Sequence, residues 1–155
     1  MDSKDKLVLR ELQRNCRQTI AEISKRTKLP RNVVQYRIKK LEESGIIISY
    51  HTFINHRKIG YPVYSFVLFS LFNSSVEEEK EFFSFLKNHK NVTYAGTLAG
   101  NWDVGINICA KDFIEHDKVL KEIRHKFPKI IKEFTVGTIV KEIKSDWMVD
   151  LIEAK

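Results

Sequence analysis

The spacing of apolar positions predicts three helices in the first forty-five residues. Residues 4–15 carry a stripe at helical spacing, made of Leu7, Val8, Leu9 and Leu12. A second helix is predicted to start at Thr19, because Thr19 and Glu22 have the spacing of a capping box. A third is predicted with Pro30 in its first turn, where the missing N–H is not needed, and with Gly45 as its stop.

The apolar pattern changes after Gly45. Ile46–Ile54 is β-branched and aromatic, which predicts a strand, and a polar connector with Gly and Pro follows it. Pro62–Phe72 is the most apolar run, and it predicts a second strand with two apolar faces. One face holds Val63, Val67, Phe69 and Leu71, and the other holds Tyr64, Phe66, Leu68 and Phe72. A strand with one solvent-exposed face would alternate apolar and polar residues. We therefore expect helices on one face of this strand and a second copy of the chain on the other.

The remaining pattern completes a β-α-β-β-α-β order. Capping-box spacing at Ser75–Glu78 and Asp112–Glu115 predicts two helices, ending near Asn88 and near Phe127. The other strands are predicted at Val92–Ala99, Trp102–Ala110 and Ile130–Ile143, with Gly100-Asn101 as a two-residue turn between the first two. This order is ferredoxin-like, an antiparallel sheet with two helices on one face.

The predicted fold class is therefore α+β, with three parts. Residues 1–45 form a helix-turn-helix domain of winged-helix type, residues 46–61 a strand linker, and residues 62–155 a ferredoxin-like domain. The formal net charge of the chain is +7, but it is unevenly placed. Residues 1–60 hold 14 Lys and Arg against 6 Asp and Glu, whereas the rest of the chain is close to neutral. This imbalance indicates a polyanionic partner for the N-terminal domain.

The third helix has the composition of a DNA-reading helix. Val34, Ile38 and Leu41 must face the core, so the opposite face carries cations and amides, with no carboxylate before Glu42. Any surface helix has a charged face, but the charge imbalance and the helix-turn-helix order favour major-groove binding. The predicted DNA contacts are Arg17, Thr19, Lys25, Arg31, Asn32, Gln35, Tyr36, Arg37, Lys39 and Lys40. Arg37 lies beside the apolar stripe, so either Glu42 or a phosphate could be its partner.

Two stretches of the sequence resemble the Lrp/AsnC ("feast/famine") family of transcription regulators. Residues 16–26 and the run RIKKLEESGII at 37–47 are similar to the family's N-terminal domain. Residues 99–103 lie at the family's Gly-x-x-Asp hairpin, and residues 135–140 lie at its last strand. The resemblance covers essentially the whole chain.

This resemblance implies a regulator of transcription that binds double-stranded DNA and forms homodimers through its sheet, often assembled into octamers. The expected dimer residues are Val63, Tyr64, Phe66 and Leu68. It also implies an amino-acid effector near the hairpin, with Leu98, Ala99, Gly100, Asn101, Trp102 and Asp103 as the expected ligand residues. Two departures stand out. Lys28 occupies a turn position that is usually Gly, and Ala99 and Asn101 replace residues that could hold a zwitterion.

The sequence gives little support for metal binding or catalysis. The five His and two solitary Cys match no metal-ligand spacing, so we expect no metal, no cofactor and no catalytic residues. Two alternatives remain: an architectural DNA binder without an effector, and an enzyme resembling haem-precursor decarboxylases, which would need His and Arg absent from 94–103. No signal peptide or membrane span is predicted, and the solitary cysteines fit a reducing cytoplasm.

Overall fold

The computed structural model describes residues 1–144 and 148–152, and it divides into two compact units. The first unit is Met1–Phe53 together with Ile143–Lys155, and the second is Ile54–Glu142. The first unit therefore extends past residue 45, and the described residues 143–144 and 148–152 belong to it, not to the unit that holds the sheet. No helix among the described residues is long and apolar enough to cross a membrane.

The first unit is built from three helices around a small apolar core. The helices are α1 (Ser3–Arg14), α2 (Ile20–Thr27) and α3 (Arg31–Glu43), as the apolar spacing predicted. Their buried apolar residues come from the predicted stripes, and they are Val8, Leu12, Ile23, Val34 and Leu41. A short 3₁₀ helix at Val149–Leu151 contacts α1, and Val149 is buried.

Local backbone chemistry fixes the ends of these helices. The capping box of Thr19 and Glu22 starts α2, as predicted, and a further capping box of Asp2 and Asp5 starts α1. Lys28, at the turn position that is usually Gly, takes the left-handed conformation with φ 58°. Pro30 is the N-cap of α3 rather than a residue of its first turn, which corrects the predicted position by one residue.

The predicted strand at Ile46–Ile54 is absent. No residue of this run is paired in the sheet, and its apolar side chains are largely exposed; Ile48 is 92% exposed. β-branched composition alone does not make a strand, because the N–H and C=O groups of a strand need a neighbouring strand.

The second unit has the ferredoxin-like order that the sequence predicted. Its elements are β1 (Val63–Leu71), α4 (Val76–Asn88), β2 (Val92–Thr97), β3 (Val104–Ala110), α5 (Phe113–Lys126) and β4 (Ile131–Thr138). The strands form one antiparallel sheet in the order β2-β3-β1-β4. The predicted strand ends were too long, most of all for β4, which ends five residues before Ile143.

The two helices of the second unit cover one face of the sheet. Phe69 of β1 and Phe82 of α4 are fully buried there, with their rings edge to face at 6.0 Å between centroids. The same face holds a buried polar pair, in which the hydroxyl of Ser65 lies 2.6 Å from Nε2 of His116 on α5. Burial lowers the pKa of His116, so the neutral ring is favoured in the folded state.

Candidate nucleic-acid interface, open sheet face and loop 98–103

Helix α3 presents an exposed polar face from its first residue to Lys39. Arg31, Asn32, Gln35 and Lys39 are exposed, and the ring of Tyr36 is 62% exposed. On the opposite side of the helix, Val34 and Leu41 are buried in the core. Their burial fixes which face of α3 points to the solvent. The face has no carboxylate before Glu42 and combines amide groups with cations, the groups that hydrogen-bond base edges and phosphates.

Two residues of α3 that were predicted to contact DNA, Arg37 and Lys40, make ion pairs within the protein. Nη1 of Arg37 donates to Oδ1 of Asp5 at 2.8 Å, and it also contacts the carboxylate of Asp2. Nζ of Lys40 donates to Oδ2 of Asp5 at 2.9 Å. The partners of Arg37 are thus the carboxylates of Asp2 and Asp5, and not Glu42, whose carboxylate accepts a hydrogen bond from Tyr50. The sequence offered little signal for this network, because residues 5 and 37 are far apart in the chain.

Asp5 is fully buried and ionised in this network. Burial alone would raise its pKa, but hydrogen bonds from Arg37, Lys40 and the backbone N–H of Asp2 hold the pKa of Asp5 well below its usual range. The hydrogen bonds of Arg37 to the carboxylates of Asp5 and Asp2 raise the pKa of Arg37, so both partners stay charged.

Three predicted DNA contacts lie outside α3, and their side chains differ in exposure and hydrogen bonding. Arg17 and Lys25 are exposed. The hydroxyl of Thr19 is engaged in the cap of α2, since it accepts from the N–H of Glu22 at 3.2 Å and donates to the Glu22 carboxylate at 2.9 Å. Thr19 therefore positions α2 through its side chain.

The sheet face opposite the helices is open and largely apolar. Tyr64, Phe66 and Leu68 of β1 lie on it, and Phe66 is 36% exposed. Val63, which was also predicted there, is buried on the helix side with Val67, because alternate residues of a strand point to opposite faces. Two further residues were missed: Tyr94 shares this face through its pairing with Asn107, and Leu98 lies over Gly105.

Residues 98–103 form a six-residue connection, so the predicted two-residue turn is wrong. The loop is closed by the N–H of Leu98 donating to the carbonyl of Asp103 at 2.8 Å. Gly100 has φ 138°, a conformation that favours glycine. The carboxylate of Asp103 accepts from the backbone N–H of Leu71 at 2.7 Å through Oδ2, which fastens the loop to the end of β1.

A cavity of about 370 Å³ lies beside this loop. Its lining is Leu71, Phe72, Asn73, Ser74, Glu79, Phe83, Thr97, Asp103 and Val104. Of the six predicted ligand residues, Asp103 lines it and the other five do not. Ala99, Gly100 and Asn101 are exposed on the loop surface.

Comparisons with known proteins agree with this architecture. The family model of winged helix-turn-helix DNA-binding domains matches residues 1–48. An uncharacterized HTH-type transcriptional regulator of Pyrococcus furiosus is 34% identical over 122 residues, which are 79% of this chain and 81% of that protein. Among solved structures, an AsnC family regulator from Agrobacterium tumefaciens is 24% identical with a TM-score of 0.85, covering 94% of both chains. A transcriptional regulator of Neisseria meningitidis, solved with L-Met, is 21% identical with a TM-score of 0.85, covering 94% of this chain and 93% of that one.

The helix-turn-helix unit and these relatives define the chain as a DNA-binding transcription regulator. More particularly, it belongs to the HTH-type transcriptional regulators, and it shares the fold of AsnC family regulators.

Proposed function

We propose that the protein reads double-stranded DNA by placing the N-terminal half of α3 in the major groove. The observation that carries this proposal is the exposed face of Arg31, Asn32, Gln35, Tyr36 and Lys39, which lacks a carboxylate. Asn and Gln can each make two hydrogen bonds to adenine, whereas Arg and Lys bind guanine or phosphate. Arg17 and Lys25 would add phosphate contacts beside the groove.

We further propose that the working form is a homodimer joined through the open sheet face, with an octamer as the higher assembly. Tyr64, Phe66, Leu68, Tyr94 and Leu98 would leave contact with water when two such faces meet. Two-fold symmetry would place the two α3 helices on half-sites about one DNA turn apart, or a multiple of one turn. We expect such a regulator to act in the cytoplasm and to have no enzymatic activity of its own.

The DNA-binding proposal is tested with the full-length protein and duplexes selected from a random library. We expect a pseudo-palindromic preferred sequence, and an affinity that falls steeply as salt rises from about 50 to about 200 mM, because bound cations release counterions from the phosphates. Fluorescence anisotropy measures both properties. Selection without any enriched sequence, or an affinity independent of salt, would contradict the proposal.

We propose, finally, that an amino acid modulates this regulator at the cavity beside loop 98–103. Asp103 supports this site because its Oδ1 remains available for an ammonium group while Oδ2 holds the N–H of Leu71. The related Neisseria meningitidis regulator was solved with L-Met, which supports the class of ligand. A ligand can shift assembly or DNA binding only by binding one state more tightly than the other. The architectural alternative needs no such ligand.

Titration calorimetry with the twenty amino acids tests the effector site. We expect heat with at least one of them, and a loss of roughly tenfold or more in affinity with Asp103→Ala, since a charge-assisted hydrogen bond contributes about 1.5–3 kcal/mol. Asp112→Ala, which removes a carboxylate at the start of α5, is the matched control and should retain binding. Equal binding by wild type and Asp103→Ala would remove this site, and no heat with any amino acid would favour the architectural alternative.

A further inference from the structure

The carboxylate of Asp5 is the meeting point of two cations from the recognition helix. Its Oδ1 accepts from Arg37 at 2.8 Å, and its Oδ2 accepts from Lys40 at 2.9 Å and from the N–H of Asp2 at 2.9 Å. Asp5 itself has no exposed surface, while the side chain of Arg37 is 16% exposed. Asp2 adds a second carboxylate to Arg37.

This arrangement divides the four cations of α3 into two classes. Arg37 and Lys40 are bound to the buried carboxylate of Asp5, although the side chain of Lys40 is itself 45% exposed, whereas Arg31 and Lys39 are exposed and make no ion pair with Asp5. The partner of Lys39 is Glu43 at 3.6 Å, with both side chains mostly exposed, and such a surface pair gives way easily to a phosphate. Moving Arg37 or Lys40 to a phosphate would instead leave the buried carboxylate of Asp5 short of a partner, which is strongly unfavourable.

The number of cations that reach phosphates decides how tightly a protein binds random DNA, because this binding is almost wholly electrostatic. Contacts to base edges depend on the placement of the helix and not on that number. A buried carboxylate that fixes α3 and neutralises two of its cations therefore lowers binding to random sequence while leaving base contacts in place.

We propose that Asp5 is an internal counter-ion that keeps Arg37 and Lys40 from the DNA backbone, and that it thereby sets the ratio of preferred to random DNA binding. Asp5 is a positioning residue, since it acts through Arg37 and Lys40. This inference rests on the proposed reading of DNA by α3, and it excludes two cations that the sequence assigned to DNA contact.

The test compares the salt dependence of binding to a random-sequence duplex and to the selected duplex. Asp5→Asn keeps the size of the side chain and removes its charge, so it frees Arg37 and Lys40 for phosphates. We expect the slope of log affinity against log salt on random DNA to steepen by about 1–2, at roughly 0.9 for each additional phosphate that the protein binds. The ratio of preferred to random binding should fall at least several-fold. A loss of fold stability alone would move neither the slope nor this ratio.

Glu42→Gln is the matched control, because it adds the same unit of charge to the first unit while its hydrogen-bond partner is Tyr50 and not a cation. It should leave the slope and the ratio near those of wild type.

Single variants keep the inference testable even when Asp5→Asn fails to fold. Arg37→Gln and Lys40→Gln should both retain the wild-type slope, because neither residue contacts phosphate. A slope reduced by about 1 in either variant would overturn the inference, since that residue would then already be bound to DNA. A folded Asp5→Asn with the wild-type slope and ratio would also overturn it. Failure of the wild type to bind either duplex would instead contradict the proposed function.

Discussion

Phe66→Lys is expected to convert the proposed dimer to a monomer and to weaken binding to a duplex with two half-sites by roughly 100-fold or more. An isologous interface contains every substitution twice, so two ammonium groups would enter one apolar interface. Loss of the second recognition helix removes the gain from tethered binding, which typically amounts to about 10²–10⁴. Sedimentation equilibrium measures the assembly, and fluorescence anisotropy measures the affinity.

Val136→Lys is the matched control for this experiment. Val136 is 38% exposed, close to the 36% of Phe66, but it pairs with Val67 and therefore lies on the helix side of the sheet at its edge. This variant should remain dimeric. Leu68→Lys should behave as Phe66→Lys does, and the milder Phe66→Ser covers the case in which a lysine variant is insoluble. A dimer in all three open-face variants, or a wild-type monomer at micromolar concentration, would contradict the proposed interface.

The sequence predicted the helices and the β-α-β-β-α-β order of the elements because these depend on local signals. A capping box acts within three residues, and Thr19–Glu22 and Ser75–Glu78 form as their spacing indicated. The third predicted box is only half formed. Asp112 accepts from the N–H of Glu115, but the carboxylate of Glu115 reaches the N–H of Lys111 instead of closing the box.

Contacts between residues that are far apart in the chain could not be predicted from the sequence. The acid network of α1 and α3 joins positions more than thirty residues apart, and the charge pattern of α3 alone suggested that Arg37 and Lys40 face DNA. The position of Leu98 over Gly105 likewise depends on the path of a six-residue loop that was predicted to be two residues long. At Ile46–Ile54 the local signal was present and the strand did not form. The residue types favour a strand, but the chain supplies no neighbouring strand to pair with it.

Gln35→Ala and Lys39→Ala are expected to weaken DNA binding in two distinguishable ways. An amide that reads a base edge contributes about 1–3 kcal/mol to one sequence only, so Gln35→Ala should lose roughly 5–150-fold on the selected duplex and little on random DNA. Asn32→Ala should behave similarly. Lys39→Ala should weaken all duplexes alike and reduce the salt slope by about 1, because a phosphate contact carries no sequence information.

Anisotropy titrations at several salt concentrations, on selected and random duplexes, separate these outcomes. Lys80→Ala removes an exposed lysine of the second unit and is the control for loss of one positive charge outside α3. An equal loss on both duplexes for Gln35→Ala would mean that Gln35 contacts the backbone and not a base. An unchanged slope for Lys39→Ala would remove Lys39 from the phosphate contacts. Together with the unchanged slopes expected for Arg37→Gln and Lys40→Gln, this series tests whether the exposed cations of α3 bind DNA while the paired ones hold the helix.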